Sequence, residues 1–325
     1  MKQKKILITG GSGFIGYHFH CYMNEYQIVN FDLVEPDFDY QSIYHKGDVR
    51  ELSQVDEVSS KYDIDCIIHL AAEHKDFGIL EADYFRTNEY GIKVLTEAAT
   101  KHNIKNFVYY SSVAVYGQHK APSDENTSLA PDNPYGASKQ AAEQILNQWS
   151  EKDGNRKILI IRPTVVYGVR NFANIYRLIK QIDSGLYANV GEANNIKSIA
   201  FVDNLVQAML YLMQDMKTGI STYNYADEKQ MSTREIGQVI SAALGKKQPM
   251  TLPYGLMYTM GIPFDILIKI TGKDLPISTN RIKKLCTETY HKADKIRNAG
   301  FKPNYDNKYG LEKMVEWYLK EKSKK

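Results

Sequence analysis

Up to about Pro163 the chain alternates short apolar runs with longer stretches in which apolar residues recur every three or four positions. The runs Lys5–Thr9, Gln27–Phe31, Cys66–Leu70, Asn106–Ser111 and Lys157–Ile161 predict buried strands. The stretches Phe14–Asn24, Leu80–Lys101 and Tyr135–Lys152 carry helical spacing. Strand then helix, repeated, predicts an α/β fold: a doubly wound parallel sheet with helices on both faces. After Gly168 the pattern loosens. Helices are predicted over Phe172–Ser184, Asp203–Gln214, Ser232–Leu244 and Tyr309–Lys320, with a short strand near Ser198–Val202. Ser232 and Glu235 fit a capping box. The expected organisation is a cofactor-binding domain over 1–168, re-entered around 198–214. A smaller, mostly helical substrate domain is expected over 169–325.

Glycine placement sharpens the first of these domains. Gly10, Gly13 and Gly16 follow the strand Lys5–Thr9 directly, and Phe14 and Ile15 open the helix after them. This is the Rossmann-type arrangement. One glycine makes the tight turn, the next lets backbone N–H groups approach a pyrophosphate, and the third lets helix pack on strand. The helix N-terminus adds partial positive charge toward the phosphates. Asp32 ends the second strand, where a carboxylate accepts hydrogen bonds from the adenosine ribose and repels a 2′-phosphate, so NAD is expected rather than NADP. The bland alternative is an ordinary surface acid after a strand. Asp48 and Val49 follow a plausible further strand and could meet the adenine. Leu70, Ala71 and Ala72 are small or apolar enough for backbone to lie along the cofactor.

Tyr135 and Lys139 stand at i and i+4, on one face of a predicted helix. An ammonium there stabilises phenolate and can hold the nicotinamide ribose, so the phenol can exchange protons with a sugar hydroxyl near neutral pH. Alone the pair means little, because the chain has 24 tyrosines. Ser112, just past the strand Asn106–Ser111, gives it context, since ligands of open α/β sheets bind at the carboxyl ends of the strands.

With these residues in view, the chain resembles the extended short-chain dehydrogenase/reductase family, the group of nucleotide-sugar epimerases, dehydratases and reductases. The resemblance rests on TGGSGFIG, Asp32, His69–Ala72, RTNEYGIKVLTEAA with Asn88 at the family's asparagine, YYSSVAVYG, PYGASKQAAEQ and IIRPTVVYG. It implies Ser112, Tyr135 and Lys139 as catalytic residues, NAD as cofactor and Asn88 among the cofactor-site residues. It also implies a homodimer packed through the helices Leu80–Lys101 and Tyr135–Lys152. Weaker correspondences place substrate phosphate at Asn174, Lys197 and Arg281, and put His74 and Lys75 within reach of the sugar. Each of these is equally plausible as a solvated surface residue. Two departures matter. Val165 stands where galactose epimerases carry an asparagine, and Val113-Ala114 replace the Asp-Glu of the sugar dehydratases.

Composition narrows the classes further. A net charge of +3 is too small to suggest nucleic acid or an anionic membrane as partner. Three cysteines without CxxC spacing exclude a disulfide framework or zinc site and suit a reducing, cytoplasmic setting. No metal site is expected. The most apolar stretch, Leu252–Gly272, is broken by Pro253, Pro263, Asp265 and Lys269. It is read as helices covering a substrate pocket, not as membrane insertion, with contact at a membrane surface as the other reading. The expected activity is a 4-epimerase for a nucleotide-linked sugar, UDP-hexose foremost. A 4-keto-sugar reductase using NAD(P)H in surface-polysaccharide synthesis is the alternative. A reductase of small apolar ketones and a non-catalytic NAD sensor complete the set.

Overall fold

The computed structural model describes residues 3–75, 78–119, 122–272, 275 and 277–324. The chain forms two compact units. The first runs to Thr164 and takes in Val202–Tyr225 and His291–Pro303. The second comprises Val165–Phe201, Ala226–Tyr290 and the segment from Asn304 on.

The first unit is built on one sheet of seven strands, all parallel. Their order is Gly219–Tyr225, Lys157–Pro163, Asn106–Tyr110, Cys66–His69, Lys5–Thr9, Gln27–Asp32 and Ile43–Lys46. The four strands from Lys157–Pro163 to Lys5–Thr9, with Gln27–Asp32 beside them, read as nearly continuous apolar runs because helices cover both faces. Leu52–Tyr62, Tyr90–Lys101 and Pro134–Glu151 pack side by side, and Phe14–Tyr22 packs on Val202–Met213. His18 Nδ1 meets Asp203 Oδ1 at 2.5 Å between the last two. The core centres on Leu7, Val29, Ile67, Leu95, Phe107 and Leu146. Chain direction across the sheet reverses between Lys5–Thr9 and Cys66–His69. The crevice at such a switch point is where open α/β sheets bind ligands.

Of the two edge strands, Ile43–Lys46 is the further strand expected ahead of Asp48, and Gly219–Tyr225 was not among the predicted runs. Each is mostly half-buried, and their sequences IYHK and GISTYNY carry too few apolar residues for the core-strand pattern. The predicted helix Leu80–Lys101 is interrupted: Phe85–Glu89 is a π-helical turn between Glu81–Tyr84 and Tyr90–Lys101.

The second unit gathers the helices Asn174–Asp183, Thr233–Ala243 and Asn307–Ser323 around the paired strands Val165–Tyr167 and Ile199–Phe201. Tyr167, Ile179, Phe201, Ile240 and Leu311 form its core. Ser232 and Glu235 form the expected capping box. Leu252–Gly272 forms a single helix, Tyr254–Thr271, packed on Thr279–Cys286.

One buried cluster ties the first unit together. Arg162 Nε donates to Glu143 Oε1 at 2.9 Å and Nη2 to Oε2 at 2.5 Å. Ser111 Oγ donates to Glu143 Oε1, and Arg162 Nη1 to the Tyr116 hydroxyl. Tyr116 in turn donates to Asn224 Oδ1 at 2.7 Å. Removing one partner of such a pair leaves an uncompensated buried charge. Arg162→Met is therefore expected to cost about 3–5 kcal/mol in urea unfolding. The double variant Glu143→Leu/Arg162→Met should lose much less than the two single changes added together. Strict additivity would show that the pair is not coupled.

Candidate active site

The tight turn after Lys5–Thr9 depends on Gly10. It has φ +73°, and a Cβ there would stand 2.5 Å from Ala71 N. The strand ends are pinned beside it: Gly10 N donates to Phe31 O, and Leu70 N and Ala71 N both donate to Thr9 O. A Cβ on Gly16 would lie 2.3 Å from Gly11 O, so the helix Phe14–Tyr22 needs glycine to start this close to the turn. Gly13 is its N-cap residue, and no side chain caps the helix. The first-turn N–H groups of Phe14, Ile15 and Gly16 precede the first intrahelical donor, Tyr17 N to Gly13 O at 2.9 Å. A phosphate fits this uncapped, acid-free helix start.

Asp32 stands at the end of the neighbouring strand, half-exposed. Its Oδ2 accepts from Ser12 N at 3.0 Å and its Oδ1 from Val34 N at 3.3 Å. These bonds fix the carboxylate beside the glycine turn and leave it further acceptor capacity for a ribose diol. Asp48 is engaged differently. It binds Arg50 with two oxygens at 2.5 to 2.9 Å, and that contact holds its carboxyl below the usual range. Val49 is buried against Gly91. Leu70, Ala71 and Ala72 follow Cys66–His69 at the switch point. Here Thr9 Oγ1 and His69 Nδ1 meet at 2.6 Å, and burial pushes His69 down to about 3, so its ring is neutral.

Asn88 is fully buried in the π turn. Its Oδ1 accepts from Glu73 N at 2.8 Å, and its Nδ2 donates to Glu73 O at 3.0 Å and Ser138 Oγ at 2.9 Å. It therefore clamps the loop after Ala72 to the helix Pro134–Glu151. His74, in that loop, is exposed, with Nδ1 3.3 Å from Ala72 O. Lys75 is exposed and its carbonyl accepts from the Tyr84 hydroxyl.

The helix Pro134–Glu151 begins with Asn133 capping Gly136 N at 2.9 Å and Pro134 in its first turn. A Cβ on Gly136 would sit 2.4 Å from Ala114 O, so glycine lets Tyr135 come up against the turn Val113–Tyr116. Ser112 caps that turn, accepting from Ala114 N at 3.1 Å. One helical turn on, Lys139 is buried. Its Nζ donates to Tyr110 O at 2.8 Å and lies 5.9 Å from the Tyr135 ring centroid. Burial pushes Lys139 down to about 7, against the opposing pull of Glu143. Ser112, Tyr135 and Lys139 thus share one end of the sheet with Gly10, Asp32 and Ala72. The arrangement can take a proton from a hydroxyl and return it.

In the second unit, Lys197 Nζ donates to Lys284 O at 2.8 Å and Thr287 O at 2.5 Å. It caps the C-terminus of Thr279–Cys286, the helix that carries Arg281. Burial pushes Lys197 down to about 8. Asn174 is the first residue of Asn174–Asp183 and is exposed. Sequence reasoning did not single out Glu143 or Ser111. The i, i+4 spacing of Lys139 and Glu143 was the available signal, one helical turn on the same face.

Comparison with known proteins places the chain. It belongs to the NAD dependent epimerase/dehydratase family, whose model matches residues 6–226. It is an NAD-dependent enzyme of the extended short-chain dehydrogenase/reductase type. Among characterised proteins it is 37% identical to N-acetyl-alpha-D-glucosaminyl-diphospho-ditrans,octacis-undecaprenol 4-epimerase of Escherichia coli O157:H7, over 96% of this chain and 94% of the relative. It is 25% identical to human dTDP-D-glucose 4,6-dehydratase, over 97% and 90%. The fold matches UDP-glucose 4-epimerase of Thermus thermophilus, crystallised with NAD, at a TM-score of 0.76 and 21% identity, over 97% of this chain and 99% of that one.

Lys139 makes stability depend on pH. In the unfolded chain it holds its proton to about 10.5, and in the fold only to about 7. Between those values the unfolded state binds more protons, so this group makes the apo fold more stable as pH rises. Lys139→Met should flatten that rise when urea unfolding at pH 7 is compared with pH 9.5. Equal slopes in both proteins would place the lysine in water. Asp32→Ala is expected to weaken NAD binding and relax discrimination against NADP. A wild type that already prefers NADP in titration would contradict the role given to Asp32.

Proposed function

We propose that the protein is a 4-epimerase acting on a diphosphate-linked N-acetylhexosamine whose carrier is a polyprenol. The observation that supports this most directly is the 37% identity, held over 96% of the chain, to an epimerase named for such a substrate. The site is consistent with it. Val113 and Ala114 offer no carboxyl pair for water elimination, while the Ser112, Tyr135 and Lys139 set for reversible oxidation is intact.

NAD supplies the hydride acceptor and the hydride that returns. Gly10, Gly13 and the uncapped helix start would hold its pyrophosphate, and Asp32 the adenosine ribose. Tyr135 takes the proton of the sugar 4-hydroxyl as the 4-keto sugar forms and gives it back on reduction. Lys139 stabilises the phenolate and reaches the nicotinamide ribose. Ser112 donates to the same sugar oxygen. Asn88 acts by holding the loop and the helix in register. In the second unit Arg281 and Asn174 are the candidates for the diphosphate. Lys197 positions the Arg281 helix.

A nucleotide diphosphate carrier, UDP foremost, is the second reading, favoured by neighbours solved with UDP-sugars. Purified protein is expected to release close to one NAD per chain on denaturation, because net redox over a cycle is zero. It should turn over N-acetylglucosaminyl-diphospho-polyprenol far faster than UDP-N-acetylglucosamine. Tyr135→Phe should leave NAD content intact and cut turnover by about 10²-fold or more. Stoichiometric consumption of NADH or NADPH with a 4-keto sugar would establish a reductase instead.

A further inference from the structure

A surface helix normally turns its apolar stripe inward. The helix Tyr254–Thr271 is apolar on its outer side as well. Of its 18 residues only Gly261 is buried. Its inner side is fixed by contact with the helix Thr279–Cys286. A Cβ on Gly261 would stand 3.0 Å from Ile282 Cδ1, and Asp265 accepts from Thr279 N at 3.0 Å and Thr279 Oγ1 at 2.5 Å. At 3.6 residues per turn, the opposite side carries Leu256, Met260, Pro263, Ile266, Leu267 and Ile270. Ile266 is 57% exposed and Ile270 75%. The hydroxyls on the outer half do not interrupt this face: Thr259 and Thr271 donate back to Leu256 O and Leu267 O within the helix.

The surroundings of this face are basic. Lys269, Lys283 and Lys284 are exposed, and Lys283 Nζ lies 5.6 Å from the Tyr258 ring centroid. From Leu252 to Cys286 the sequence holds five Lys or Arg against two Asp. Among the described residues no helix is long and apolar enough to cross a membrane.

We propose that Tyr254–Thr271 seats the protein on an anionic phospholipid bilayer, lying in the interface with its outer face at the acyl boundary and its lysines toward the headgroups. Charge complementarity selects this occupant over a second copy of the chain. Two copies meeting on this face would oppose their basic rims, whereas anionic lipid neutralises them. For its purpose the docking rests on the polyprenol reading above, since such a carrier keeps the sugar at the bilayer surface.

The test is sedimentation of the full chain, with NAD and without substrate, against vesicles of phosphatidylglycerol and phosphatidylethanolamine and against phosphatidylcholine alone. Binding to the anionic vesicles is expected, weaker on phosphatidylcholine and reduced at about 0.5 M salt. Ile266→Glu/Ile270→Glu should lower the bound-to-free ratio at least about tenfold, since both side chains would leave the acyl region. Its melting temperature, and its turnover of a water-soluble short-chain diphosphate sugar, should match wild type. A wild type that binds neither vesicle overturns the proposal. So does a wild-type dimer that dissociates in the double variant without vesicle binding, which would assign the face to a second copy. Vesicle binding in a protein that ignores polyprenyl substrates would sink the polyprenol reading and leave the docking standing.

Discussion

The first unit depends on holding charge out of water on one face of the helix Pro134–Glu151. Lys139, Glu143 and Arg162 are 2%, 3% and 6% exposed. Burying an ion costs several kcal/mol unless its partners are geometrically right. Here Glu143 receives two bonds from Arg162 and one from Ser111, so its acceptor capacity is well used. That carboxylate stands one turn from Lys139 and opposes the desolvation that would strip its proton. The ion pair thus does more than join strand to helix. It contributes to the field in which Lys139 sits, close to the pH where that lysine can be charged or neutral. Tyr116 and Asn224 extend the same network to the edge strand Gly219–Tyr225, so the site end of the sheet is braced by polar bonds as well as by packing.

Backbone necessity explains why so much of this was legible. Gly10, Gly16 and Gly136 are each glycine because a Cβ would collide with main chain at 2.5, 2.3 and 2.4 Å. Steric requirements that absolute leave a sequence signature, and the central strands leave another because they are apolar on both faces. The edge strand Gly219–Tyr225 left none, being mostly half wet. Nor could the π turn at Phe85–Glu89 be read, because its side chains keep helical spacing while Asn88 turns inward to hold Glu73 and Ser138. The pairing of Glu143 with Arg162 was invisible for a different reason. Isolated charges in a sequence read as surface, and only the fold brings these two together inside it.

Lys197 shows how a residue type can find a partner that the sequence does not suggest. A lysine near a returning strand reads as a phosphate ligand. Its ammonium instead binds the carbonyls at the end of Thr279–Cys286, where a helix C-terminus favours positive charge. Spacing cannot separate these roles, because both need only a cation on a short strand. Lys197 thereby holds the element that carries Arg281.

The second unit lies apart from the sheet that carries Gly10, Asp32, Ser112 and Lys139. In the proposed reaction, hydride and proton exchange fall to the glycine turn, Asp32, Ser112, Tyr135 and Lys139, and these suit any sugar presented at the right oxygen. Identity of the carrier must be written elsewhere. An uncharged nucleoside base and a polyprenyl chain make opposite demands on protein surface: the first asks for a few satisfied polar contacts, the second for a route to lipid. A helix that exposes Ile266 and Ile270 suits the second demand. Folding in water gains nothing from that arrangement, since each exposed apolar side chain forgoes burial. Covering the face with lipid would recover that burial, and the exposed Lys269, Lys283 and Lys284 favour an anionic cover.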